Sequence, residues 1–96
     1  MPERADLAWQ AVSSRARLDL MRALMRTQQP MTARDLAAET GLGAPTIQTA
    51  LGQLEAMGYV AASEPQGLRK GKQVTYEAAG DQFRDDFTEL SKYLLG

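Results

Sequence analysis

"MTARDLAAETGLGAPTIQTALGQLEAMGYV", Met31 to Val60, is the stretch that decides the fold. Thr32 offers a side-chain oxygen to the free N–H groups of a new helix. Asp35, three residues later, is an acidic residue suited to the positive end of that helix, so the two read as a capping box. The helix itself, "ARDLAAET", is short, with Leu36 and Ala37 facing inward. "GLG" then turns the chain in three residues, and a second helix runs from about Ala44 to Met57 with Pro45 acceptable in its first turn. Ile47, Ala50, Leu51 and Leu54 recur at helical spacing and form its apolar stripe. Gly58 ends it, being free to adopt the left-handed conformation. Helix, tight glycine turn, helix over residues 32–57 is a helix-turn-helix pattern.

Upstream, "RADLAWQAVSSRARLDLMRALMRTQQ" carries apolar residues at helical spacing and reads as two consecutive helices, broken where Ser13 and Ser14 can cap the second. "QQPMT" stops that helix, because Pro30 biases Gln29 away from helical backbone. Downstream, the periodicity switches to alternation. "YVAASE" and "QVTYEA" each read as a strand of about six residues joined by "PQGLRKGK", which makes residues 59–78 a hairpin. "GDQFRDDFTELSKYLLG" returns to helix over residues 80–95, with Phe83, Phe87, Leu90 and Leu94 along one seam. The order α-α-α-α-β-β-α is an α+β, mostly α arrangement. It describes a single winged helix-turn-helix domain over residues 1–96, with a two-stranded wing and extra N- and C-terminal helices.

Composition removes most chemistry. The 96 residues, 44% of them hydrophobic, suit one small core, and the net charge of −1 gives no general attraction to phosphate. With no cysteine and no histidine, thiolate and imidazole chemistry are excluded, so no catalytic role, metal site or cofactor is expected. No apolar run approaches the ~20 residues that cross a bilayer, and "MPERADLAWQ" lacks the apolar region of a signal peptide, so the expectation is a cytoplasmic protein without a membrane partner.

Three stretches together resemble the ArsR-like family of winged helix-turn-helix repressors. "AVSSRARLDLMRALM" resembles the family's N-terminal signature, with Arg17 and Leu18 at the matching positions. The opening stretch resembles its two-helix core, and "RKGKQVTYEA" resembles its wing, in which a basic tip leads into a strand holding a tyrosine. The resemblance covers about residues 11–78. It implies a DNA-binding dimer. It does not extend to the cysteine pair that relatives carry in the helix corresponding to "ARDLAAE", or to the His/Asp ligands of their last helix, so the metal trigger is missing and effector control stays open.

A helix stripe centred on Ile47 and Leu54 points Pro45, Thr49, Gly52 and Ala56 outward, flanked by Gln48 on one edge and by Thr46 and Gln53 on the other. This face is small and uncharged. Thr46, Gln48, Thr49 and Gln53 are the candidate base-reading residues, a glutamine bonding adenine N6/N7 and the threonine methyls touching thymine. Backbone attraction has to come from elsewhere, since no basic residue lies between Arg34 and Arg69. Arg34, Arg69, Lys70 and Lys72 are the candidate phosphate contacts, with Arg15 or Arg17 at the edges, so that specifying and positioning contacts fall on different elements. Plainer readings stand beside these. The "RKGK" tip is equally a solvated hairpin turn, Arg17 an intramolecular salt bridge, and the methionines core fillers. The acidic set Asp81, Asp85, Asp86 and Glu89 reads as a solvated helix face in preference to a cation site.

A core of this size does not need the seam of the last helix. Phe83, Phe87, Leu90 and Leu94, with Leu7, Trp9 and Val12 of the first helix, are therefore the candidate dimer interface, the alternative being that the last helix folds back on its own core. The expectation is a homodimeric, sequence-specific regulator of transcription, a repressor acting by occlusion on a palindromic double-stranded operator, with any small-molecule effector unknown. The competing class is a winged-helix protein-interaction module that does not bind DNA.

Overall fold

The structure, a computed structural model, describes residues 1–96. Its elements follow in the order α1 (Glu3–Val12), α2 (Arg15–Thr27), β1 (Met31–Thr32), α3 (Ala33–Thr40), α4 (Ala44–Ala56), β2 (Val60–Ala62), β3 (Thr75–Ala78) and α5 (Gly80–Leu95), with a 3-10 turn at Gln66–Leu68. The cap residues act at the expected places. The Ser14 hydroxyl accepts from the Arg17 N–H and separates α2 from α1. Thr32 and Asp35 make the reciprocal capping box of α3, at 3.0 and 3.1 Å. After α4 the Tyr59 N–H returns to the Leu54 carbonyl and the Gly58 N–H to that of Glu55, both at 3.0 Å, with Gly58 at φ 85°. This left-handed reversal satisfies the terminal carbonyls and drops Tyr59 into the core, where it is fully buried.

The two-stranded wing is present as β2 and β3, and a third strand joins its sheet. Three antiparallel strands lie in the order β1-β3-β2, with Met31 opposite Tyr76 and Val60 opposite Ala78. The added strand is the pair of residues between the Pro30 stop and the Thr32 cap. Extended backbone there pairs with β3 and buries Met31, but two residues are too few to show a period of two. The strands of the hairpin are also shorter than six residues, because Pro65 and the 3-10 turn take the chain out of register beyond Ser63, whose N–H still reaches the Thr75 carbonyl at 2.8 Å.

The core forms around α4. Ile47, Ala50, Leu51 and Leu54 are buried against Leu20, Met21 and Leu24 of α2, Leu36 of α3 and Tyr76 of β3. Met21 and Met31 are buried in this cluster and Met25 and Met57 pack on it, as core fillers do. Helix α1 lies mainly on α5, and Ala5, Ala8 and Ala11, all fully buried, let the two come close.

Two sequence expectations fail at this α1–α5 contact. Asp86 is not on a solvated face. It is 2% exposed, and its carboxylate accepts from the Tyr59 hydroxyl at 2.7 Å, Gln82 Nε2 at 2.8 Å and Arg4 Nε at 2.9 Å, with a second bond from Arg4 Nη2. The Arg4 hydrogen bonds, then those of Tyr59 and Gln82, hold it below the usual carboxylate range against the opposing effect of burial. Burial and the same carboxylate push the Tyr59 phenol up. Phe83 is likewise not a free seam residue, because it packs edge-on against the Tyr59 ring with centroids 5.2 Å apart, and Leu7 packs on the same core. Sequence spacing put Phe83 and Asp86 on faces of a helix; only the position of Tyr59 decides that both faces are covered.

Candidate nucleic-acid interface

Helix α4 presents Thr46, Gln48, Thr49 and Gln53 to solvent, together with Pro45 and Ala56, so the uncharged face read from the sequence is exposed. It lies between two grooves. On one side a cleft of about 450 Å³ is lined by Gln48 from α4, Arg34 from the first turn of α3, and Arg69 and Lys72 from the wing. On the other, a groove of about 340 Å³ brings Thr46, Thr49 and Gln53 beside Ser14 and Ala16 at the start of α2. All four candidate base readers and three of the four candidate phosphate contacts are thus gathered on one side of the molecule. Lys70 is exposed at the tip of the same hairpin.

The cations are not equally available. Arg69 does not project freely: its Nη2 binds Glu55 Oε2 at 2.6 Å and its Nε donates to the Glu64 carbonyl at 2.9 Å, leaving the side chain 22% exposed. The hydrogen bond to Glu55 raises its pKa further above an already high value. The carboxylate nearest to Arg69 along the chain is Glu64, so a partner from α4 becomes visible only when the wing folds back on that helix. The structure therefore gives Arg69 the part of a tie between wing and helix, which revises its assignment as a phosphate contact. Glu55 Oε1 is buried with no partner. Lys72 keeps 54% of its side chain exposed and sits 3.9 Å from Glu64, a loose pair that water screens. Arg34 is exposed and makes no ion pair. Arg15 lies 3.7 Å from Asp19 with its side chain 87% exposed.

Arg17 does make an internal contact, but not with a carboxylate. Its Nε and Nη2 donate to the Gln10 carbonyl at 3.0 and 2.8 Å, closing the end of α1, and its Nη1 donates to Gln53 Oε1 at 2.7 Å. Gln53 is therefore held by its carbonyl, the acceptor that a bidentate adenine contact would also use. Gln48 has no such restraint. No three carboxylates come together in a way that could hold a metal ion.

Away from this side, Trp9 is 51% and Phe87 46% exposed, and Leu94 is 75% exposed, while Val12 and Leu90 are half-buried. Tyr93 at 56% and Leu95 at 81% are exposed on the same last turn as Leu94. Neither falls on the Phe83-to-Leu94 seam, and the signal that could have found them is the apolar run Tyr93-Leu94-Leu95 that ends the helix. The Phe83 and Phe87 rings lie 6.0 Å apart, so the core runs continuously into the exposed patch.

Comparison with known proteins agrees with this architecture. The IclR helix-turn-helix domain family matches residues 17–64, from the start of α2 through β2. Among solved structures, the chain is similar to an ArsR-like transcriptional regulator from Rhodococcus sp. RHA1, with a TM-score of 0.72 at 21% identity over 94% of this chain and 78% of that one. It is similar also to the transcriptional repressor BigR from Xylella fastidiosa, with a TM-score of 0.67 at 20% identity over 92% and 84% of the two chains. A third is a homodimeric winged helix-turn-helix DNA-binding domain of a possible ArsR-family transcriptional regulator from Mycobacterium bovis, at a TM-score of 0.67 and 22% identity over 96% and 79%. No curated protein sequence matches the chain. The likeness to ArsR-like proteins drawn from the sequence is met by these structures at the level of the fold. No helix is long and apolar enough to cross a membrane. A capping box, a glycine turn, a neutral exposed helix and a hairpin tied to its flank by Glu55 and Arg69 make a winged helix-turn-helix, and with its family match over half its length the chain belongs to the IclR helix-turn-helix domain family of DNA-binding transcriptional regulators.

Proposed function

We propose that the protein is a homodimeric, cytoplasmic repressor that reads a palindromic operator with α4 and acts by occlusion. The observation that carries this reading is the cleft in which Gln48 meets Arg34, Lys72 and the base of the wing: a base-reading side chain and backbone-holding cations open onto one surface. The division of contacts follows from it. Small neutral residues on α4 allow close approach to the groove floor, while Arg34, Lys70 and Lys72 hold phosphates on either side. Arg69 contributes by fixing where the wing stands.

Dimerisation supplies what one copy lacks. A single subunit has Arg34 and Lys72 in the cleft beside its reading helix, Lys70 at the wing tip and a net charge of −1, too little for tight binding. The Trp9, Phe87 and Leu94 patch, with Tyr93 and Leu95 on the same last turn as Leu94, is the surface we assign to the second copy. About half of each ring is already covered, so burying the remaining ~100 Å² on Trp9, Phe87 and their symmetry mates at ~25 cal/mol/Å² stabilises the pair by up to about 10 kcal/mol before association entropy is subtracted. A two-fold pair would set two reading helices ~34 Å apart, one turn of DNA.

Binding to duplex DNA from the protein's own promoter region, measured against salt, tests the reading. Affinity is expected to fall by roughly 10³-fold or more between 50 and 200 mM salt for six to eight phosphate contacts per dimer. Light scattering after size exclusion should give twice the 10.5 kDa chain mass. A dimer that ignores DNA at low salt would select the protein-interaction reading in its place, and a clean monomer would remove the two-fold operator.

A further inference from the structure

The hydrogen bond between Arg17 and Gln53 fixes more than a side-chain position. A guanidinium carries donors and no acceptor, so it can face only the carbonyl end of an amide. Gln53 Oε1 is therefore turned toward Arg17 Nη1, 2.7 Å away, and Arg17 is itself held by the Gln10 carbonyl, to which its Nε and Nη2 both donate. The end of the amide left unengaged for anything approaching α4 is its NH2 group. Gln53 is exposed and shares its groove with Thr46 and Thr49 on the outer face, so this NH2 group belongs to the surface that would meet a base.

A glutamine that recognises adenine must accept from N6 and donate to N7 at once. With its carbonyl engaged by Arg17, the unengaged end of Gln53 is its pair of N–H donors, and the base-pair edge complementary to paired donors in the major groove is guanine, whose O6 and N7 both accept. The positive charge on Arg17 polarises the amide through the shared bond and strengthens its N–H groups as donors. We propose that Gln53 reads guanine, not adenine, at one position of each half-site, with Arg17 as the positioning residue that imposes the choice; this rests on the DNA-binding reading above. On a helix without lysine or arginine, the arrangement supplies from behind the kind of contact that arginine usually makes directly with guanine.

Selection of bound sequences from random duplex DNA, run with the full chain and with Gln53→Ala, Gln53→Glu and Arg17→Met, tests it, each variant being checked for helicity by circular dichroism. The wild-type protein should enrich guanine at one position per half-site. Gln53→Ala should lower the guanine-over-adenine preference there about tenfold and leave the other positions alone. Arg17→Met frees the amide to offer both groups and should move that same position toward adenine, a change of base that simple loosening of the fold would not produce. Should Arg17→Met fail to fold, Gln53→Glu keeps Arg17 paired but replaces the donors with a carboxylate, and the position should turn from guanine to cytosine, whose N4 donates. A wild-type motif whose every position survives Gln53→Ala, or one in which the position that relaxes was adenine, overturns the inference while leaving the regulator intact. A wild-type protein that enriches no motif ends the DNA-binding reading, and this inference with it.

Discussion

Asp86 is the residue on which the α1–α5 end of the molecule turns, and its replacement by alanine has a magnitude that the structure allows to be worked out. The wild-type carboxylate is 2% exposed and accepts from Tyr59, Gln82 and Arg4. Losing it leaves the Tyr59 hydroxyl, in a fully buried ring, without an acceptor, which costs about 1–3 kcal/mol. Arg4, nearly half exposed, and Gln82 return to water and add little. The desolvation of the carboxylate, no longer required, offsets part of the loss. A net of about 1–2 kcal/mol should lower Tm by roughly 5–15 °C for a domain of this size. Thermal unfolding followed by circular dichroism, at one fixed protein concentration, measures it. The acid limb gives a second readout. Asp86 has its folded pKa held below its unfolded value, so its contribution is complete above about pH 4 and is lost as pH falls through the folded value. Tyr59 has its folded pKa raised, so its contribution persists below about pH 10 and fades as pH rises above that. Asp86→Ala should therefore flatten the acid limb as well as lower the plateau. A Tm within about 3 °C of wild type, or an unchanged acid limb, would refute the claim that this network holds α1 and α5 to the core.

Three further expectations concern the reading side and the helix that precedes it. Glu55→Gln removes a negative charge close to where phosphates would lie, yet it should weaken DNA binding by about three- to tenfold, because the wing loses the tie that orders it; a gain in affinity at fixed salt would mean that holding Arg69 back is the larger effect. Lys70→Ala should weaken binding to all sequences alike and reduce the slope of log K against log salt by roughly 0.9 for each phosphate no longer neutralised, about two per dimer, as titrations between 50 and 200 mM would show. Gln28 closes α2 in the left-handed region at φ 56°, where it is the one residue other than glycine with positive φ, so Gln28→Gly should raise stability by about 0.5–1 kcal/mol in urea unfolding despite the added freedom of the unfolded chain.

The opening stretch carried the fold because its signals are local. A capping box needs four residues, a left-handed glycine turn needs one or two, and an apolar stripe at 3.6-residue spacing needs a single helix, so Thr32, Asp35, Gly41, Gly58 and the Ile47-to-Leu54 stripe could all be read without knowing what they pack against. The exposed, uncharged outer face of α4 followed from the same geometry. Strand β1 was invisible because two extended residues have no period, and its existence depends on β3 arriving beside them.

Charge was where sequence reading reached its limit. Local composition counted Arg69 as free, Gln53 as an amide open at both ends and Asp86 as one of several solvated carboxylates, since none has an oppositely matched neighbour within a helical turn. Their partners, Glu55, Arg17, Tyr59 and Arg4, stand 14, 36, 27 and 82 residues away. A hydrogen bond depends on distance in space, and the loss of water that strengthens it depends on everything packed around it. Chain order therefore determined the helices, the hairpin and the faces they present, while tertiary packing decided the added strand β1 and which polar groups on those faces remain available to a ligand.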